Sequence, residues 1–366
     1  YLVTAQAIRE AAEELGLPEP EIGGPYTALL LGPIVETDED EQPILDEDGN
    51  EKTILASAWF VKLVEECAVG DPLPWFCGGV RPNSWRDYVN FISSEHYYWN
   101  RWDELQNPPQ YDFEEFDTKL QVDILLADFE AEGIEGLTSA DIRLDPIGGN
   151  FTRFGTEFGE QASSGAALFV NQLIQLARMV DEGEELKGAA FYSAFALTDY
   201  IPPDENGPFD DGFWSPAFAG DSNWWTEPYY EDKYMTPSGT AFHLVNQFVA
   251  DDVEVLPIPS GSRAFQLMLG RDMPGESILL LAANYDNAPA SVDLNVQNLP
   301  LGQWVLDEAY QVDETARPLA ELPNFRDLPA DPPRIENGTV HFRIPPFGVR
   351  YLRFRRTNYI IDPIEE

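Results

Sequence analysis

Apolar residues recur at helical spacing in the first segment. Ala5, Ile8, Ala12 and Leu15 share one face there, and Gly16 with Pro18 stops the run. The stretch PEIGGPYTALLLGP then predicts a short buried strand and a loop. From Ser57, SAWFVKLVEEC predicts a helix, and a Pro/Gly loop leads from it to DYVNFISSEHYYW, a strand with polar and aromatic residues at its exit. FEEFDTKLQVDILLADFEAEG predicts another helix, ahead of a strand near Phe151. The following helix runs from Ser164 to about Glu182, with Leu168, Leu173, Ile174, Leu176, Ala177 and Val180 apolar. LKGAAFYSAFAL reads as the next strand and SGTAFHLVNQFVA as the last helix. Strand and helix thus alternate four times, the signature of parallel βα units.

After about Asp251 the pattern changes. EVLPIP, AFQLMLGR, SILLLAANYD, SVDLNVQNL, WVLDEAYQVD, TVHFRIPP and VRYLRFRR are short alternating strands separated by Gly, Pro and Asn. They predict an all-β domain of sandwich type, with Pro and charge on its edges. The expected fold class is therefore α/β plus all-β. Residues 1–250 form the C-terminal half of a TIM (β/α)8 barrel, strands five to eight, and residues 251–366 form a β-sandwich domain. An exposed hairpin is expected where an Asp-Gly-Asn turn stands between QPIL and KTIL. That segment carries nine carboxylates between Glu36 and Glu51, but the ligand spacing of a calcium loop is incomplete.

Composition narrows the partners. With 366 residues, 43% of them hydrophobic and 13% aromatic, the chain supports a sizeable core. No apolar run reaches about eighteen residues, so no membrane span is expected. The balance of 65 acidic to 22 basic residues gives a net charge of −43, which excludes nucleic acid as a natural partner. Five of the basic residues are Lys, and an acidic surface poor in Lys suits a salty environment that screens the self-repulsion. Cys67 and Cys77 either close a surface disulfide or stay as two buried thiols. With three His and no Cys/His cluster at ligand spacing, no zinc site is expected. The sequence opens on Tyr1 in an amphipathic helix, so it is expected to start inside a longer protein.

In (β/α)8 barrels, functional residues sit at the C-terminal ends of strands. Two such ends carry polar chemistry here: SSEHYYW and GTEFG. A carboxylate at a strand exit, beside aromatic and His neighbours, equips a sugar-cleaving site. There one carboxylate attacks the anomeric carbon, and a second about 5 Å away protonates the leaving oxygen. These stretches, together with AIREAAEELGLPEPEIGGP, AAFYSAF, SGTAFHLVNQF and IPPFGVRYLRF, resemble clan A glycoside hydrolases. The likeness is to the family 39 type of β-xylosidase and α-L-iduronidase relatives, with family 51-like features, and it runs over nearly the whole chain.

The resemblance implies that Glu157 is the nucleophile of a retaining glycosidase. It also implies that His96 and Tyr97 or Tyr98 hydrogen-bond the sugar and the nucleophile. The family's acid/base Glu follows an Asn at the end of the fourth strand, and no Asn-Glu pair stands at a suitable strand end in this chain. Strands one to four and the proton donor are therefore expected outside it, leaving this chain inactive alone. The long loop after the eighth strand adds Trp224 and Trp225 beside several carboxylates, either to stack on pyranose faces or to pin the loop.

Simpler readings stand beside these. Glu157 could cap the following helix, although Ser163 and Ser164 already offer caps there. His96 could be a buried, hydrogen-bonded side chain, and Glu95 a solvated one. The alternative function is a non-catalytic carbohydrate-binding protein on a degenerate barrel. In both readings the partner is a carbohydrate, and a polymeric one places the protein outside the cell or on its surface.

Overall fold

A computed structural model describes residues 1–23, 34–35, 37, 42–45, 49–54, 56–97, 118–148, 163–191, 218–219, 234–235, 237–248, 253–257, 262, 264–272, 275–286, 288–299, 302–312, 317–318 and 333–357. The chain divides into two compact units. One takes Tyr1–His96, Lys119–Ile147 and Gly183–Ala190, and the other takes the remainder.

In the first unit, α1 (Leu2–Glu14) buries Leu2, Ala5 and Ala12. Ile8 and Leu15, expected on the same face, are instead exposed. They lie on the flank of the stripe rather than its centre, so the buried arc is narrower than the apolar pattern suggests. The helix stops as its sequence requires. Gly16 turns to φ +67°, its N–H bonds Glu13 O, and the Leu17 N–H reaches back to Ala12 O, which together form a Schellman motif.

The hairpin follows, with β1 (Ile34–Val35) paired antiparallel to β2 (Thr53–Ile54). Its outer bridges, Thr37 to Pro43 and Leu45 to Glu51, and its described residues from Gln42 to Lys52 are exposed, as expected. α2 (Ala56–Val69) ends near Cys67, which is disulfide-bonded to Cys77. Both sulfur-bearing residues are 1% exposed, so the bridge is internal rather than on the surface.

β3 (Ile92–Tyr97), α3 (Thr118–Ala131), β4 (Ile142–Gly148) and β5 (Gly188–Phe191) complete the described βα segments. The three strands form one sheet in the order β3-β4-β5, and Gly23 forms a parallel bridge to Phe91 just ahead of β3. A helix stands between each successive pair, which is the connection that parallel neighbours require. β4 begins at Ile142, and the Phe151 region where the pattern places a strand lies outside the described residues. Ile142 and Leu144, both buried, alternate with Arg143 and give the strand signal at its start.

In the second unit, α4 (Ser163–Asp181) and α5 (Pro237–Asn246) join through a stack of Phe169 on Phe242, centroids 6.0 Å apart. The short strands β6 (Phe218–Ala219), β7 (Tyr234–Met235) and β13 (Arg317–Pro318) make a small antiparallel sheet. A five-stranded antiparallel sheet has the order β12-β16-β10-β9-β8, from β8 (Val253–Val255), β9 (Phe265–Asp272), β10 (Ser277–Asn284), β12 (Gln303–Gln311) and β16 (Gly348–Thr357). A three-stranded one has the order β11-β15-β14, from β11 (Ala290–Asn295), β14 (Arg334–Glu336) and β15 (Thr339–Ile344).

Leu269, Leu280, Leu352 and Phe354 face Val340, Phe342 and Ile344 across a shared core. This is the expected sandwich, with one correction. β9, β10 and the first half of β16 do not alternate in burial, and all eight residues of β10 are buried. The reason is that α4 packs on the second face of β9, β10 and β16. That contact also explains Asn171 and Gln175, polar residues of α4 that are almost fully buried. The Asn171 side chain donates to Ala264 O at 3.1 Å, and Arg178 donates to Gln266.

Candidate functional site

The starts of the strands are fixed by polar residues that hold neighbouring segments in register. Asn90 exchanges hydrogen bonds with Ile22: its N–H donates to Ile22 O at 2.8 Å, and its side-chain oxygen accepts the Ile22 N–H at 2.9 Å. The same oxygen accepts from Arg9 at 3.1 Å, and the Arg9 guanidinium lies over the Tyr88 ring. The Tyr1 hydroxyl shares its proton between Gly23 O and Tyr88 O, and burial pushes it up to about 12 against the pull of Arg9. At the next strand the Lys187 N–H donates to Ile142 O at 2.9 Å.

Charge-assisted contacts reinforce that end. Arg86 donates to Asp141 at 2.9 Å and to Gly136 O, while stacking on Trp85. Burial alone would push the Asp141 carboxyl up. The bonds from Arg86 and from the Thr138 N–H and hydroxyl outweigh it and hold the carboxyl below its ordinary value. Glu184 accepts from Lys119 and from the Ser139 hydroxyl, both at 2.9 Å, and these bonds keep its carboxyl low as well. Residues preceding β3 line a cavity of about 350 Å³ with Arg9, Arg81, Arg86 and Asn90, but those groups already bind the protein's own carbonyls and side chains. Sequence reading passed over Asn90 and Asp141. The Thr-x-x-Asp spacing of a capping box was the available signal for the second.

The opposite ends of the strands carry the residues singled out by chemistry. His96 and Tyr97 are the last two residues of β3, and Glu95 precedes them. Their side chains lie outside the described residues, as do Tyr98, Glu157, Trp224 and Trp225. Their places in the chain order are nonetheless fixed by the elements around them. Tyr98 follows β3 directly, Glu157 falls between β4 and α4, and Trp224 and Trp225 fall between β6 and β7. α4 begins at Ser163, six residues beyond Glu157.

The chain's one Asn-Glu pair, Asn50-Glu51, stands on the exposed hairpin with Glu51 bridged to Leu45, away from any of these strand ends in sequence. Among the described residues, no group of three or more His, Cys, Asp and Glu is placed to hold a metal ion. No helix among them is long and apolar enough to cross a membrane.

No protein-family profile matches the chain, and no curated protein does. Solved structures do. A glucosidase from Croceicoccus marinus superposes with a TM-score of 0.51 at 17% identity, over 98% of this chain and 64% of the glucosidase. The likeness is one of fold. The chain spans 64% of the length of that glucosidase. More distant likenesses include a Paenibacillus polymyxa xyloglucanase of glycoside hydrolase family 44, with TM-score 0.45, 11% identity, and 97% of this chain on 60% of that one. A family 51 α-L-arabinofuranosidase from Bifidobacterium longum has TM-score 0.45 and 11% identity, with 74% of this chain on 54% of that one.

Proposed function

We propose that the chain is the strand-five-to-eight portion of a retaining glycoside hydrolase, with residues 1–250 as barrel and 251–366 as sandwich. The observation that carries this reading is the place of GTEFG. It falls in the connection that follows β4, the middle strand of the ordered sheet β3-β4-β5, as a barrel nucleophile would. The glycosidase fold supports it.

In this reading the Glu157 carboxylate attacks the anomeric carbon as the glycosidic C–O bond breaks. A Glu carried on strands that this chain does not include protonates the leaving oxygen. It then takes a proton from water, which attacks the same carbon and frees Glu157. His96 with Tyr97 or Tyr98 would bond the sugar hydroxyls and orient Glu157, and Trp224 and Trp225 would stack on pyranose rings. The reaction needs neither metal nor organic cofactor. Its substrate is an oligo- or polysaccharide, met outside the cell or at its surface.

Glu157→Gln in the complete enzyme should lower turnover at least about a thousandfold while substrate binding survives. A 2-fluoro-glycoside should label Glu157 covalently. Undiminished hydrolysis by the Gln variant would sink the assignment. The second reading, a carbohydrate-binding protein without catalysis, is favoured by the position of Asn50-Glu51 on the exposed hairpin. Absence of labelling together with retained sugar binding would select it.

A further inference from the structure

The most exposed aromatic side chain among the described residues is Trp75, 91% accessible, yet the backbone beneath it is among the most firmly tied in its unit. Trp75–Cys77 form a single 3₁₀ turn. Cys77 is bonded to Cys67 at the end of α2, and the Cys77 N–H donates to Pro74 O. Gly78 closes the turn at φ +63° with its N–H on Trp75 O, and the Val80 N–H donates to Cys77 O. Arg81 forks across the loop to Ala68 O at 3.1 Å and Gly70 O at 2.8 Å. Pro72 and Pro74 restrict the backbone ahead of the turn. An indole left in water on a mobile loop would need no explanation. One displayed on a stapled turn is preorganised, which removes the ordering cost of binding.

The neighbourhood narrows the ligand. Phe76, 41% exposed, stands 6.1 Å from Trp75 at 80°, so the two rings make an open corner. Gly79 beside it meets nothing within 4 Å of where a Cβ would stand. Glu66, in the last turn of α2, and Asp71, in the loop itself, are both exposed. A flat apolar face, on a surface that also offers hydroxyl-accepting carboxylates, matches a sugar ring, whose C–H face stacks while its hydroxyls donate. Glu66 and Asp71, on a chain with net charge −43, repel a polyanion.

We propose that Trp75 and Phe76 form a stacking platform for the uncharged sugar rings of a polysaccharide. The choice of ligand rests on the carbohydrate reading above. The platform would hold a polymer chain to the protein surface without taking part in bond cleavage.

The first test uses the wild-type 366-residue chain and requires no variant to fold. Exposed indoles are oxidised with N-bromosuccinimide, and Trp75 is followed by peptide mass spectrometry with and without neutral xylo-, arabino- or gluco-oligosaccharides. Trp75 should oxidise among the first indoles. A protecting oligosaccharide at ten times its Kd should slow that oxidation about tenfold. Fast oxidation unchanged by all three sugar series overturns the proposal. Slow oxidation without sugar also overturns it, because a second copy or another part of the protein then covers the ring. In gels cast with the polysaccharide that protects, Trp75→Ala should abolish retardation and Glu157→Gln should preserve it. Persistent hydrolysis by Glu157→Gln counts only against the catalytic reading, and absent protection of Trp75 counts only against this one.

Discussion

Strand β10 in the second unit and strand β3 in the first treat their residues differently. All eight residues of β10 are buried, and its register sets Leu280 opposite both Leu352 and Leu269. β3 buries Ile92 and Ser93 at its start and then runs into Glu95, His96 and Tyr97. β10 is enclosed by a second sheet on one face and by α4 on the other, so a polar side chain there would lose water without gaining a partner. A strand whose exit opens into a long connection can carry carboxylates and imidazoles because its end need not be packed shut.

The largest effects should come from breaking the two-sided burial. Leu280→Ala and Leu281→Ala remove side chains that are both 0% exposed and point to opposite faces of β10. Each should cost about 2–5 kcal/mol in urea unfolding. β11, whose burial alternates, should behave otherwise. There Val292→Ala should cost about 1 kcal/mol, and Ser291→Ala should stay within about 0.5 kcal/mol. A cheap Leu281→Ala beside a costly Leu280→Ala would mean that α4 does not cover the outer face, and the contrast with one-sided strands would fail.

The first unit relies on a covalent link where the second relies on area. Cys67 and Cys77 are ten residues apart in sequence. Closing a loop of that size stabilises by about 3 kcal/mol through the unfolded chain. Replacing both cysteines by Ala should lower the urea midpoint accordingly and make unfolding indifferent to reductant. An unchanged midpoint would show that helix packing alone holds the Trp75 turn.

Much of this was legible from pattern. The ends of α1 and α4, the exposed hairpin and the strand-rich second part follow from Gly16, from apolar spacing and from the Asp-Gly-Asn turn. What pattern did not reveal was which apolar residues find a partner. Ile8, Leu15 and Val180 fit their helical stripes yet are exposed, while Asn171 and Gln175 do not fit and are buried. Burial depends on a second element, and a single segment cannot name its neighbour. The disulfide was undecided for the same reason, since spacing limits a pairing but does not fix the distance between two Cα atoms. At the candidate site the sequence supplied the residue types and their order along the strand ends. Asn90 and Asp141, which hold the opposite ends in register, carried weaker signals because single polar residues in loops have many ordinary uses.

The smallest effect tests whether polar pairing adds stability to the first unit in a way the apolar sandwich core cannot. Asp141 accepts from Arg86 and Thr138, and those bonds hold its carboxyl below the value of 3.8 that it takes when free. A carboxyl lowered in the folded state stabilises fully above the unfolded value and loses that contribution as pH falls through the folded one. Asp141→Asn should therefore cost about 1 kcal/mol or less at pH 7, and the gap between the two unfolding curves should shrink as the pH falls below 3.8 and the folded carboxyl takes up its proton. The same titration of Leu280→Ala should show a gap that does not depend on pH, because the lost contacts carry no proton. If the Asp141→Asn gap also persists unchanged into acid, the carboxylate charge adds nothing there. The turn before β4 would then be held by the neutral hydrogen bonds that Asn can still accept, and the two units would differ in shape but not in the kind of force that stabilises them.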